Sequence, residues 1–241
     1  MKHFTQTLIV VIGFTVATAL VAMAETQPSK NSLGNQLMKG STPWYQKAAV
    51  TVGPATESAA KGGSLLILQA GSFLYLEGDS TLHKYQMNAN ALRGSAIVKS
   101  LSGGLEKALK TSQVESMTLI VPVDNLKSRE KGLDENAYKA LKPKENPEIT
   151  FSLDSLSLAK AKEGPTVMTA KGNLTIAGTK APIILTGDAV FTGNQVRLTG
   201  TQKLKMSDFK IVPPSISLVV TSIDCKDEIE IHYDVIFDAK K

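Results

Sequence analysis

Four residues of this chain are of types that could carry chemistry: Ser80, His83, Cys225 and His232. Ser80 stands in the block Gly78-Asp79-Ser80-Thr81-Leu82. A serine becomes a nucleophile when a base takes its proton and a third group orients that base. His83 follows closely, but His232 is preceded at three residues by Ile229, so no carboxylate sits at orienting distance in sequence. The block also reads as a turn in which Asp79 or Ser80 caps a helical turn. The two histidines lie far apart and share no ligand spacing with the single cysteine, so no metal residues are assigned. Phosphate-loop and dinucleotide fingerprints are missing, and the lysines are spread along the chain rather than gathered into a nucleic-acid face. No catalytic residue, metal or cofactor is therefore expected.

The Gly-Asp-Ser block resembles that of the GDSL-type hydrolases, which would make Ser80 the nucleophile. That family places an Asp-x-x-His pair near its C-terminus, and Ile229 occupies the aspartate position here. The chain also lacks the strand–helix alternation of that fold. A serine hydrolase ranks as the third reading, behind two non-enzymatic ones.

The elements that must position such residues begin after an export signal. Lys2 and His3 give a basic start, residues 8–21 form a 14-residue apolar run, and Ala22-Met23-Ala24 has the A-x-A cleavage pattern. The run falls short of the roughly 20 residues needed to span a bilayer. Cleavage after Ala24 leaves 217 of the 241 residues and takes the net charge from +5 to +4, because Lys2 departs. The product is expected to be soluble, without a membrane span, and periplasmic or secreted from a bacterium. With Cys225 alone there is no internal disulfide; the core is held by packing and Cys225 is a small buried or half-buried residue. A homodimer stays open.

Residues 25–63 read as a flexible leader, with a short helix near residues 42–49 and the Trp44-Tyr45 pair folded back onto the domain. Residues 64–241 form the domain. Leu65 to Leu68 is an apolar run. Phe73, Tyr75 and Glu77 then share one strand face and Leu74 and Leu76 the other. Residues 85–98 are extended, with a bend or bulge at Arg93-Gly94. Helical character falls at residues 105–109. Residues 114–125 alternate as a strand in which Pro122 belongs at an end, an edge or a bulge. The principal helix covers about residues 132–141, where Leu133, Ala137, Tyr138 and Leu141 make an apolar stripe. Ile149, Phe151 and Leu153 alternate with Thr150, Ser152 and Asp154, and two more strands follow through residue 191. Residues 195–204, 216–223 and 228–237 complete the set, with His232 on the solvated face of the last. Many strands, close turns and one inserted helix imply an all-β barrel or sandwich.

Three blocks give the chain a family likeness: the helix followed by Asn146-Pro147-Glu148-Ile149-Thr150-Phe151; Gly172-Asn173-Leu174-Thr175-Ile176-Ala177-Gly178 with Pro182; and Met206-Ser207-Asp208-Phe209. Together they resemble the YceI-like family, in a divergent branch. Met206 and Lys210 stand where arginine and glycine are usual. The resemblance implies a lipocalin-like antiparallel barrel of about eight strands with one principal inserted helix. It also implies a lumen that carries a long apolar amphiphile, a polyisoprenoid quinone or related lipid. Family-matched or alternating positions nominate Phe73, Leu119, Phe151, Leu174, Ile176, Phe191, Leu198, Tyr233 and Phe237 as its lining. The competing expectation is a barrel filled by its own side chains that acts in stress response or interaction and binds nothing.

Overall fold

Period-two patterning builds almost every element of the molecule. The computed structural model describes residues 49–51, 63–160, 164–217 and 222–240; Trp44, Tyr45 and most of the short helix expected near residues 42–49 lie outside them. In chain order the strands are β1 (Ala49–Thr51), β2 (Ser64–Leu68), β3 (Phe73–Ser80), β4 (Lys84–Ala89), β5 (Ala91–Val98), β6 (Val114–Pro122), β7 (Leu126–Lys127), β8 (Glu148–Lys160), β9 (Thr166–Ile176), β10 (Thr179–Thr192), β11 (Gln195–Lys205), β12 (Ser215–Ser217) and β13 (Ser222–Ala239). Among the described residues they are interrupted by the α-helices α1 (Leu105–Lys110) and α2 (Lys131–Leu141) and by 3-10 turns at Val123–Asn125 and Met206–Phe209.

The strands close into an antiparallel barrel of eight staves. Six of them, β6, β8, β9, β10, β11 and β13, run as neighbours in that order. The seventh is β2 and β3, one strand broken at Gly71 (φ 93°); both halves pair with β13. The eighth is β4 and β5, bent at Asn90. Its halves pair with β3 and β2 and so close the ring onto β6. Arg93 and Gly94, where a bend or bulge is expected, pair in regular register with β6, and the bend is at Asn90. Gly94 lies within β5, where a Cβ would come within 3.2 Å of the Leu119 side chain and the Thr118 carbonyl. Strand β1 pairs parallel with residues 91–93 of β5, so a segment of the expected leader contributes to the sheet.

Local chemistry explains the joints. Ala177 (φ 48°) and Gly178 (φ 75°) make the two-residue turn from β9 to β10 that left-handed backbone permits. Pro122 ends β6, where it owes no ladder hydrogen bond. A bulge at Asp154 shifts the β8–β9 register between Leu153 and Ser155. It flips the alternation, so that Phe151 and Leu156 both point inward although five residues apart. Gly78, Asp79 and Ser80, expected as a turn, continue β3, and the turn proper is Thr81-Leu82.

The two ends of the barrel differ. At one, α1 contacts β8 and β11 and buries Leu105, Ala108 and Leu109. Phe237, Leu68, Val98 and Val196 join it in a packed floor. The other end is covered by α2 and by the segment Met206–Pro214, and no residue of α2 is fully buried.

Candidate functional site: an apolar lumen

The lumen is a cavity of about 190 Å³ running from the floor to α2. Its wall comes from one face of each long strand. β3 gives Leu74 and Leu76; β6 gives Met117, Leu119 and Val121; β13 gives Ile229, Ile231, Tyr233 and Val235. The covered end adds Leu133, Ala137, Ala140 and Leu141 from α2, together with Met206, Phe209, Ile211 and Pro214. The polar groups on the lining are few: Tyr85, Tyr233, Cys225, Gln202 and Lys205. Such a surface holds hydrocarbon and offers little else to a ligand.

Of the nine residues nominated from sequence, Leu119, Phe151, Leu174, Ile176, Leu198 and Tyr233 line this cavity. Phe73 does not. The break at Gly71 sets β3 so that Leu74 and Leu76 face inward, and Phe73 stacks on Tyr75 on the outer wall at 6.5 Å. Phe191 and Phe237 have inward parity but lie beyond the cavity. Phe237 is paired with Val196 and Leu68 and is wholly buried in the floor, with Phe191 packed beside them. Sequence reading missed the contributions of α2, of β3 and of residues 206–214.

The cavity owes its width to glycines. Three inward aromatic rings lie flat on the wall because the strand beside each has a glycine where a side chain would stand. Tyr85 on β4 crosses β3 at Gly78, where a Cβ would lie 2.6 Å from its Cε2. Phe151 on β8 lies over Gly172 of β9, 2.8 Å from the position of a Cβ. Tyr233 on β13 crosses Gly200 of β11 and reaches Gly187 of β10. Its hydroxyl donates to the Thr186 carbonyl at 3.1 Å. Burial pushes the Tyr233 phenol up to about 12. Interior strand glycines are the signal that would have found these contacts, since such a glycine marks a close approach.

The residues first weighed for catalysis serve structure. Ser80 Oγ donates to the His83 carbonyl at 2.8 Å and accepts from the backbone N–H of Leu82 and His83 at 3.2 and 3.1 Å, so it caps a tight turn. His83 turns its Nδ1 to the Lys84 carbonyl at 2.8 Å and its Nε2 towards Glu130 at 3.4 Å. Neither nitrogen bonds Ser80. His232, expected in solvent, is half-buried: its ring stacks on Tyr75 at 4.5 Å, and Nδ1 is 3.2 Å from Thr201 Oγ1. Asp234, on the same outer face, is buried in a two-pronged pair with Arg197. Cys225 is half-buried at the covered end of the lumen, where burial raises its thiol pKa.

This is a lipocalin-like barrel with an apolar lumen. The sequence pattern of the YceI-like domain matches residues 77–237, and the chain belongs to that family. No curated protein matches it. Among solved structures, BcnA of Burkholderia cenocepacia superposes with a TM-score of 0.54 at 16% identity, over 68% of this chain and 95% of that one. A polyisoprenoid binding domain from Saccharophagus degradans, implicated in plant cell wall breakdown, superposes at 0.53 with 9% identity, over 73% and 98%. At such identities the likeness is one of fold. Lys210 stands where the family pattern has glycine, and its φ of 59° explains that preference. Met206 lines the lumen with its thioether.

Proposed function

We propose that this protein is an exported carrier of one long apolar chain, a polyisoprenoid quinone or a related isoprenoid or acyl lipid, through the periplasm or the medium. The observation that carries the reading is the cavity itself. A water needs roughly 10–15 Å³ of comparable space, so about 190 Å³ is room for a chain rather than a packing defect. Each CH₂ withdrawn from water contributes about 0.8 kcal/mol. A dozen shielded carbons would contribute about 10 kcal/mol, on the scale of the ordering and association costs, without specific polar contacts. The sparse polar lining accords with that.

The rival reading is a stress-response or interaction barrel filled by its own side chains, and the open lumen speaks against it. The hydrolase reading has no support from Ser80, whose hydroxyl is held by backbone groups of its own turn. The test places a charge in the wall. Phe151→Lys is expected to abolish uptake of a quinone or fatty amide, because its ammonium would face hydrocarbon. Unchanged uptake by a folded Phe151→Lys protein would refute lumen binding.

A further inference from the structure

Of the three wall-laid rings, Tyr85 is the one at the covered end, the end at which polar groups meet the lumen. Its partner Gly78 has no conformational need to be glycine: it lies inside β3 and its backbone is not left-handed. Glycine there costs the strand stability. What it provides is room. The atoms nearest a Cβ at Gly78 all belong to the Tyr85 ring, whereas at Gly172 and Gly187 the nearest atom is a backbone carbonyl oxygen of the adjoining strand. Gly78 therefore acts on the ring alone. The ring crosses β3 through this gap towards β13, where its hydroxyl meets the Cys225 thiol. Burial, and then the thiol, raise the Tyr85 phenol above the ordinary range, so it stays neutral beside the lumen.

Resting on the carrier reading, we infer that Gly78 and Tyr85 set the width of the lumen at its covered end, and that Tyr85 determines which chains enter. With the ring flat on the wall, a methyl-branched isoprenoid chain passes. With the ring displaced towards the axis, the passage narrows and the branched chain is excluded before a straight one. Leu76, Met87 and Ile229 flank the ring on the same wall; the two aliphatic side chains offer a displaced phenol no hydrogen bond, and Met87 only a weak thioether acceptor.

The test compares geranylgeraniol, which is methyl-branched, with hexadecanol, which is straight, by displacement of a lumen-bound dye from the mature protein. Gly78→Ala is expected to weaken geranylgeraniol binding at least tenfold and hexadecanol binding less than threefold. Adding Tyr85→Leu to Gly78→Ala should restore geranylgeraniol to within threefold of wild type. Tyr85→Leu alone, which keeps the glycine and does not depend on Gly78→Ala folding, should bind geranylgeraniol at least as tightly as wild type. Equal binding of both alcohols by wild type and Gly78→Ala, or a double variant that fails to recover, would overturn the width inference and leave the carrier reading standing. Wild-type protein that takes neither alcohol would overturn both.

Discussion

The two ends of the barrel are built from the same alternating strands, yet they hold their helices differently. At the floor, a six-residue helix buries three side chains, Leu105, Ala108 and Leu109. At the covered end, the eleven residues of α2 bury none. Length does not explain this; what lies beneath does. Under α1 are Phe237, Val196 and Leu68, all essentially inaccessible. Under α2 is the cavity. Polar tethers hold α2 in place: the Tyr138 hydroxyl donates to the Leu126 carbonyl at 2.7 Å, Asp134 accepts from the Ser128 amide at 2.7 Å, and Lys127 lies over the Tyr138 ring. A helix with buried side chains is thus held by packing at the floor, whereas α2 has few buried contacts, the pattern that goes with low local stability.

The comparison can be broken most easily at the floor. Phe237→Ala should cost about 3–5 kcal/mol in chemical denaturation, the usual penalty for emptying a well-packed aromatic site. A loss under about 1 kcal/mol would mean that the floor is not the stable region. Next comes the wall between the ends. Arg197→Gln strands the buried Asp234 carboxylate and is expected to cost about 1–2 kcal/mol, less than a fully buried pair because the guanidinium is half exposed. At the covered end, Leu133→Ala should cost less than about 1 kcal/mol, because half-buried Leu133 faces a void, while weakening uptake of an apolar chain.

The smallest effect is a pH dependence confined to the rim of the covered end. Lys226 holds the Asp79 carboxyl below its ordinary value, the Ser215 and Ser222 hydroxyls do so for Asp224, and Ser207 does so for Asp227. Each carboxylate is more acidic folded than unfolded. Its stabilisation is thus complete above the unfolded pKa of about 4 and is lost as pH falls through the lower folded value. Protection factors, corrected for the intrinsic exchange rate at each pH, should fall below about pH 4 at the Ser80 turn and around Ser207, while those of the floor amides hold. A uniform loss of protection at both ends would remove the distinction.

How much of this was legible in the sequence depends on what alternation can report. It reports which residues share a face, and so Leu119, Phe151, Leu174 and Ile176 were placed together correctly. It does not report depth: Phe191 and Phe237 share the inward face but sit in the floor, past the end of the cavity. Nor does it survive an interruption. The break at Gly71 obscured which face of β3 points inward, and Phe73 was nominated in place of Leu74 and Leu76. The bulge at Asp154 hid Leu156 for the same reason. The helix stripe of Leu133, Ala137 and Leu141 was readable, but its role as a cover depends on where the barrel end lies, a long-range fact. Gly187 and Gly200 were visible inside strand runs, whereas Gly78 read as part of a turn, and the meaning of all three needed the ring on the neighbouring strand.

An isoprenoid carrier has an occupied lumen, and the most direct measurement is organic extraction of the purified protein followed by mass spectrometry. The account predicts close to one isoprenoid or long-chain acyl lipid per protein, reduced in Phe151→Lys. A lipid-free extract from protein that also fails to take up added quinone or fatty amide would contradict it.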